Sequence, residues 1–165
     1  MSSSETVTLA GRILRGQWLR GDPVKGVSFI AVGSGDWVDK NNPPLVSVGA
    51  SGLTNELARK QIQRAFYLEK DNVNGTIFWK ENFYREVAFE TTIIALEASF
   101  GPDEAVGLQI CEEGVFAGNV TTIASPYALV AEVTSLGTLY WVRNRSVRTK
   151  EAGEVFTATA IFEER

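Results

Sequence analysis

The sequence predicts a mainly β protein, an antiparallel β-sandwich of seven or eight strands with one N-terminal helix. Apolar residues alternate with polar ones along most apolar stretches, as they do in strands with one buried face. Turn signals rich in Gly, Pro, Asn and Asp recur about every ten residues. Between these turns the chain has no room for the crossover helices that parallel strands require.

The composition narrows the class of protein. A chain of 165 residues can bury a core of its own, and we expect residues 1–165 to form a single β-sandwich domain. The sequence contains no histidine, which removes the usual general base of hydrolases and the commonest ligand of catalytic zinc. The net charge of −4 argues against nucleic-acid binding through a broad basic surface. These features exclude most familiar hydrolase mechanisms and predict no nucleic-acid partner, and we identify no catalytic, cofactor-binding or metal-binding residue set in the sequence.

The cysteine content and the N-terminal sequence indicate where the chain is made. The one cysteine, Cys111, lies between apolar residues, which predicts an inert buried thiol rather than a nucleophile. The first residues lack a basic region followed by an apolar run, and no run of 18 apolar residues occurs. We expect synthesis in a reducing cytoplasm, without a secretion signal or membrane insertion.

Residues 1–22 are expected to form a helical N-terminal arm. Apolar side chains recur at spacings of three and four, and arginines gather toward the end. These apolar residues are Val7, Ala10, Leu14 and Trp18. The pattern predicts a helix capped by Ser3 or Ser4. The β-branched residues of 6–9 equally suit the start of a strand, and a buried strand is predicted at 27–32.

A long contact loop without regular structure is predicted over residues 33–52. It holds glycine-rich turns and two consecutive prolines, Pro43 and Pro44. Loops of this length in a compact domain usually carry a binding function. Asp36 and Trp37 lie in this loop, and Trp37 is a candidate interface anchor because tryptophan is enriched at interfaces. The glycine-containing segment at 33–36 lacks the Lys-Ser/Thr pair that a phosphate-binding loop requires. A turn that leads into an exposed loop is therefore the better interpretation of these glycines.

The middle of the chain predicts a series of strands. One helical turn is expected at 54–57 and a strand at 61–68. Residues 71–75 are rich in Asp, Asn and Gly, which predicts a turn that closes a hairpin onto 76–80. The longest β pattern runs over 85–100, where the Thr and Ile content favours a strand over a helix.

The C-terminal half continues the same alternation. Strand and turn are predicted over 108–118, and two further strands at 127–134 and 138–147. A turn precedes the closing strand at 155–163.

Two groups of charged residues are candidates for function. Arg143 and Arg145 share one strand face, where they either grip an acidic partner surface or protect a sheet edge from aggregation. Acidic neighbours on a strand point to opposite faces, so they form no carboxylate dyad by themselves, and solvated positions are expected for them. These pairs are Asp103-Glu104, Glu112-Glu113 and Glu163-Glu164.

Four aromatic residues, Trp37, Trp79, Tyr84 and Trp141, have the chemistry to stack on sugar rings. Three of them lie in alternating strand contexts, where core packing is the favoured role. Trp37 is the exception because it lies in the predicted loop.

Three passages together resemble a family of phage tail proteins. The first is the strand and turn of 30–36, followed after a proline-containing loop by Leu-Thr-Asn-Glu-Leu-Ala-Arg-Lys at 53–60. The second is Glu-Gly-Val-Phe-Ala-Gly at 113–118. The third combines Gly-Thr-Leu at 137–139 with the ending at 150–159. In order and spacing they are similar to the N-terminal or baseplate-attachment domains of tail-fibre and related virion proteins.

The resemblance implies a structural virion protein of a bacteriophage tail, a baseplate-proximal fibre or fibre-attachment adaptor rather than a whole fibre. Such proteins bind other tail or baseplate proteins, commonly as homo-oligomers, without catalysis or a cofactor. They are assembled in the host cytoplasm and reside in the virion tail. The interface candidates are Trp18, Asp36, Trp37, Pro43, Pro44, Arg143 and Arg145. A carbohydrate-binding module for receptor recognition and, more remotely, a carboxylate-based glycosidase are the alternatives.

Overall fold

A computed structural model describes residues 3–117 and 125–163. The strands there are β1 (Ser3–Val7), β2 (Val27–Gly33), β3 (Glu56–Gln61), β4 (Arg64–Lys70), β5 (Ile77–Trp79), β6 (Asn82–Val87), β7 (Ile93–Phe100), β8 (Gln109–Ala117), β9 (Tyr127–Leu129), β10 (Thr138–Thr149) and β11 (Phe156–Glu163). One α-helix, α1 (Leu9–Arg20), follows β1, and a 3₁₀ turn at Val130–Glu132 follows β9.

The strands form two antiparallel sheets that pack face to face. The six-stranded sheet has the order β1-β10-β8-β2-β3-β9, and the five-stranded sheet has the order β11-β7-β4-β6-β5. The predicted class, a mainly β antiparallel sandwich with one helix, is confirmed. The eleven strands in the described residues exceed the predicted seven or eight, partly because β5 and β9 have only three residues each.

Alternation along the strands builds the core between the sheets. Ile30 and Val32 of β2 pack with Leu96 and Phe100 of β7 and with Phe162 of β11 in one cluster. The opposite face of the five-stranded sheet is also buried. Ile161 on β11 and Trp79 on β5 share that second cluster although they lie at opposite ends of the strand order, so this sheet curls around its own apolar face.

The N-terminal arm begins with a strand. The predicted helix cap at Ser3 or Ser4 is wrong, because residues 3–7 pair with β10 and the helix starts only after Thr8. The Thr8 hydroxyl accepts a hydrogen bond from the Gly11 amide, which is the geometry of an N-cap. The strand alternative for the β-branched stretch at 6–9 is therefore correct up to Val7. Met1 and Ser2, which the predicted arm includes, lie outside the described residues.

Three predicted elements in the middle of the chain are wrong because their partners are distant in sequence. Residues 54–57 run into β3, whose Glu56 pairs with Gly33, instead of forming a helical turn. The turn at 71–75 does not join paired strands, since β4 and β5 both pair with β6. The long pattern at 85–100 divides into β6 and β7 around an irregular stretch at 88–92.

The other predicted strands are confirmed with shifted limits. The strands at 27–32, 61–68, 138–147 and 155–163 correspond to β2, β4, β10 and β11. The strand predicted within 108–118 corresponds to β8, Gln109–Ala117, and Gly118 lies outside the described residues. The strand at 127–134 stops at Leu129, where the chain enters the 3₁₀ turn. Within the described part of the chain, no helix is both long and apolar enough to traverse a bilayer.

Candidate protein-binding surface

The predicted contact loop occupies residues 34–55, between β2 and β3, and crosses the outer face of the six-stranded sheet. Val46, Ala50 and Leu53 pack there on a cluster that includes Phe116 and Val142. The loop is also attached through its backbone. The loop carbonyls of Lys40 and Pro44 accept hydrogen bonds from Val147 N (3.0 Å) and Asn144 Nδ2 (3.1 Å), both on β10. Its central part therefore covers this protein's own sheet.

Glu112 on β8 holds both ends of the loop in place. Its carboxylate accepts hydrogen bonds from the backbone amides of Gly35 (3.0 Å), Thr54 (2.9 Å) and Asn55 (3.1 Å). Glu112 is only 2% exposed, so its predicted solvated position is wrong. A charged acceptor satisfies amides that have no strand partner and brings positions 35 and 54–55 together. We call this group of contacts the Glu112 clamp.

Trp37 folds back over the start of the loop. Gly35 has a φ of 60°, and a Cβ there would lie 2.3 Å from the Trp37 ring, so only glycine fits beneath it. Lys40 Nζ lies 5.3 Å from the Trp37 ring centroid and donates to the carbonyls of Ser34 (2.8 Å) and Gly35 (3.0 Å). The Trp37 indole Nε1 is buried without a hydrogen-bond partner among the described residues. Trp37 thus braces the loop from within and is only half-buried.

We define the loop tip as residues 36–45, the part of the loop that follows this braced base. Asp36 and Pro44 are exposed, whereas Pro43 is buried. Val38 is 100% exposed and Leu45 is 88% exposed, which places two large apolar side chains in solvent. Val38 and Leu45 were not among the contact residues predicted from the sequence. Their position in a loop already suspected of binding is the signal that would have found them.

Arg143 and Arg145 do share one face, but Glu113 of the neighbouring strand β8 holds both. The Glu113 carboxylate pairs with the guanidinium of Arg143 and, at 3.0 Å, with that of Arg145. The strand that carries the arginines lies between β1 and β8, so the proposed protection of a sheet edge does not apply. Glu113 is 1% exposed, which also contradicts its predicted solvated position. Glu164, of the third acidic pair, lies outside the described residues.

Opposing effects set the pKa of Glu113. Burial raises this pKa, but the charges and hydrogen bonds of Arg143 and Arg145 lower it by more than burial raises it. The pKa of Glu113 therefore lies below its ordinary value. For Arg143, burial alone would lower the pKa, because it disfavours the charged form. The nearby Glu113 carboxylate raises the pKa by more, so it lies above its ordinary value. The three groups therefore form a charged network near neutral pH, with one carboxylate against two cations.

Trp18 lies beside an apolar groove at one end of the sandwich. Its ring centroid is 5.6 Å from that of Tyr140, and its indole Nε1 donates to Lys25 O at 3.4 Å. The groove has a volume of about 570 Å³ and lies between α1 and the apolar ends of strands from both sheets, with Leu19 and Phe162 among its walls. Leu19 is 85% exposed. We call this feature the groove.

The other aromatic candidates and the thiol belong to the interior. Trp79, Tyr84 and Trp141 are buried, which confirms core packing and leaves their ring faces unavailable for stacking on sugars. Trp79 also donates through Nε1 to Glu5 Oε1 at 2.6 Å. Cys111 is buried as predicted, and burial raises the pKa of its thiol, which disfavours the reactive thiolate.

The fold and surface define an antiparallel β-sandwich that carries a braced loop at one end and an apolar groove beside its helix. The family described as baseplate wedge 3 tail fiber network component matches residues 8–163, and the chain belongs to this family. The predicted resemblance to a phage tail-fibre and baseplate family is therefore confirmed, and the protein is a structural component of a phage tail. No curated protein matches the chain.

Proposed function

We propose that this protein is a fibre-attachment adaptor that links tail fibres to the baseplate wedge by protein–protein binding and catalyses no reaction. The observation that carries this proposal is the loop tip, where Val38 and Leu45 are exposed on a loop whose base is fixed by the Glu112 clamp. A contact surface held in one conformation before binding loses less conformational entropy on association. The family supports the tail location in which such contacts are made.

The attachment of the loop tip suits it to bear contacts within a large assembly. The Glu112 clamp connects it to β8, which lies inside the six-stranded sheet between β10 and β2. Val147 N and Asn144 Nδ2 of β10 also donate hydrogen bonds to loop carbonyls, which holds the loop at a second strand. Adaptor partners are other tail or baseplate proteins, and the protein joins them after synthesis in the host cytoplasm. The net charge of −4 supports a protein partner over a nucleic acid.

Phage particles that lack this chain provide the test. We expect particles from a host infected with a null mutant to carry baseplates without attached fibres, and purified wild-type chain to restore attachment in vitro. Antibody against the chain should label wild-type particles at the baseplate end of the tail. Null particles with a full complement of fibres, or label confined to another part of the virion, would refute the adaptor role.

A further inference from the structure

The loop tip and the groove lie at opposite ends of the same two strands. Val27, the first residue of β2, lines the groove, whereas the loop leaves the last residue, Gly33. On β10, Tyr140 lines the groove, and Val147 donates to the loop-tip carbonyl of Lys40 at 3.0 Å. Six or seven strand residues separate these features by about 20 Å. The loop tip of one chain therefore does not reach the groove of the same chain.

The two surfaces have complementary chemistry. Arg15 and Leu19 of α1 line the groove, Arg12 lies one turn earlier on the same stripe of the helix, and α1 contains no acidic residue. The loop tip carries Asp36 and Asp39, both exposed, on either side of the fully exposed Val38. An apolar side chain between two carboxylates matches an apolar groove beside two arginines.

We propose that copies of this chain associate head to tail, with the loop tip of one copy bound in the groove of the next. The inference rests on the proposed function, since it names a second copy of the chain as one partner of a protein that acts by binding. Such a contact joins two different surfaces, so it produces closed rings or open rows of subunits rather than a symmetric pair. Each copy in the interior of such a row uses both surfaces.

Two single substitutions separate the surfaces. Leu19→Glu places a charge in the groove, and Val38→Lys places one in the loop tip. Both side chains are at least 85% exposed, so neither change disturbs the core. Val73→Lys is the matched control, because Val73 is 88% exposed in the turn at 71–75 and belongs to neither surface. Circular dichroism and thermal unfolding verify that each variant folds as the wild type does.

Sedimentation velocity over a concentration series measures association. We expect the wild type and Val73→Lys to increase in mass with concentration beyond a dimer. Leu19→Glu and Val38→Lys should each raise the apparent dissociation constant at least about tenfold, a loss of about 1.4 kcal/mol. The 1:1 mixture of these two variants should form a complex of two chains and no more, since it retains one intact groove and one intact loop tip.

Four outcomes overturn the head-to-tail contact: a wild type that stays monomeric, variants that associate as the wild type does, a mixture that stays monomeric, and loss of association in Val73→Lys. Loss in Leu19→Glu alone would indicate a symmetric contact between grooves and would also overturn it. A monomeric wild type that still restores fibres to null particles would refute this contact and leave the adaptor function standing.

Discussion

Replacing Glu112 with glutamine tests whether one buried carboxylate holds the loop. Oε2 accepts the amides of Gly35 and Asn55, and Oε1 accepts the amide of Thr54. Glutamine keeps the shape of the side chain but has a single acceptor oxygen. In either orientation its NH₂ group faces at least one backbone N–H, so at least one amide loses its acceptor.

The expected loss follows from these bonds. Hydrogen bonds to a charged group contribute about 1.5–3 kcal/mol each, and a buried donor left without an acceptor costs about 1–3 kcal/mol. Glu112→Gln removes one such bond and the charge from the others, so we expect the free energy of unfolding to fall by about 2–4 kcal/mol. This is a large share of the roughly 5–15 kcal/mol of a typical domain.

Urea unfolding, monitored by tryptophan fluorescence, measures this loss as a lower midpoint at similar slope. Glu90→Gln is the control, because it makes the same chemical change at an exposed position in the irregular stretch at 88–92, and we expect a change within about 0.5 kcal/mol. The reasoning fails if Glu112→Gln unfolds within about 0.5 kcal/mol of the wild type, because three amides then do not depend on the carboxylate.

The pKa of Glu113 lies below its ordinary value, so its contribution to stability is full above the unfolded pKa of about 4.3 and is lost as pH falls through the folded pKa. We expect Arg145→Ala to move the acid-unfolding midpoint to higher pH in a circular-dichroism titration, and an unchanged midpoint would contradict the network. Gly11→Ala should lower the free energy of unfolding by about 1–3 kcal/mol, since its Cβ would lie 2.3 Å from a β10 carbonyl oxygen, whereas Gly16→Ala, with no heavy atom within 4 Å, should raise it by up to about 1 kcal/mol. Equal effects of the two glycine substitutions in chemical denaturation would refute the close approach of α1 to β10. Cys111 should react with a thiol reagent only as the protein unfolds, so rapid modification of the native protein would show that the thiol is accessible.

Local patterns predicted the elements better than their partners. The turn at 71–75 forms as its composition indicates, with the Asp71 carboxylate accepting the amides of Val73 and Asn74. The same chemistry does not determine which strands the turn connects. In the sheet, β6 lies between β4 and β5 although it follows β5 in the chain. Its pairing with β4 therefore joins strands that are not consecutive in sequence. The N-terminal strand β1 was not predicted for the same reason, because its partner β10 lies near the other end of the sequence.

The buried acids were missed because their partners are also remote. Statistics place glutamate in solvent, yet Glu112 and Glu113 are almost fully buried. The residues that hold them lie 30 to 77 positions away. The alternation of side chains along a strand correctly predicted that the two carboxylates lie on opposite faces of β8. Glu112 contacts the loop, and Glu113 contacts the two arginines. A pair of acids inside an otherwise apolar strand is the signal that would have prompted a search for buried partners.

A long loop on a sheet surface has amides that no neighbouring strand accepts, and burial without acceptors is costly. A single carboxylate on β8 resolves this for the two ends of the loop at once, because Oε2 accepts the amides of Gly35 and Asn55 while Oε1 accepts that of Thr54. An apolar residue at position 112 would leave those amides without acceptors. Because β8 is paired on both edges, the loop base cannot move far without distorting β10 or β2. The buried charge therefore fixes the position of an exposed surface, which is what the proposed binding tip requires.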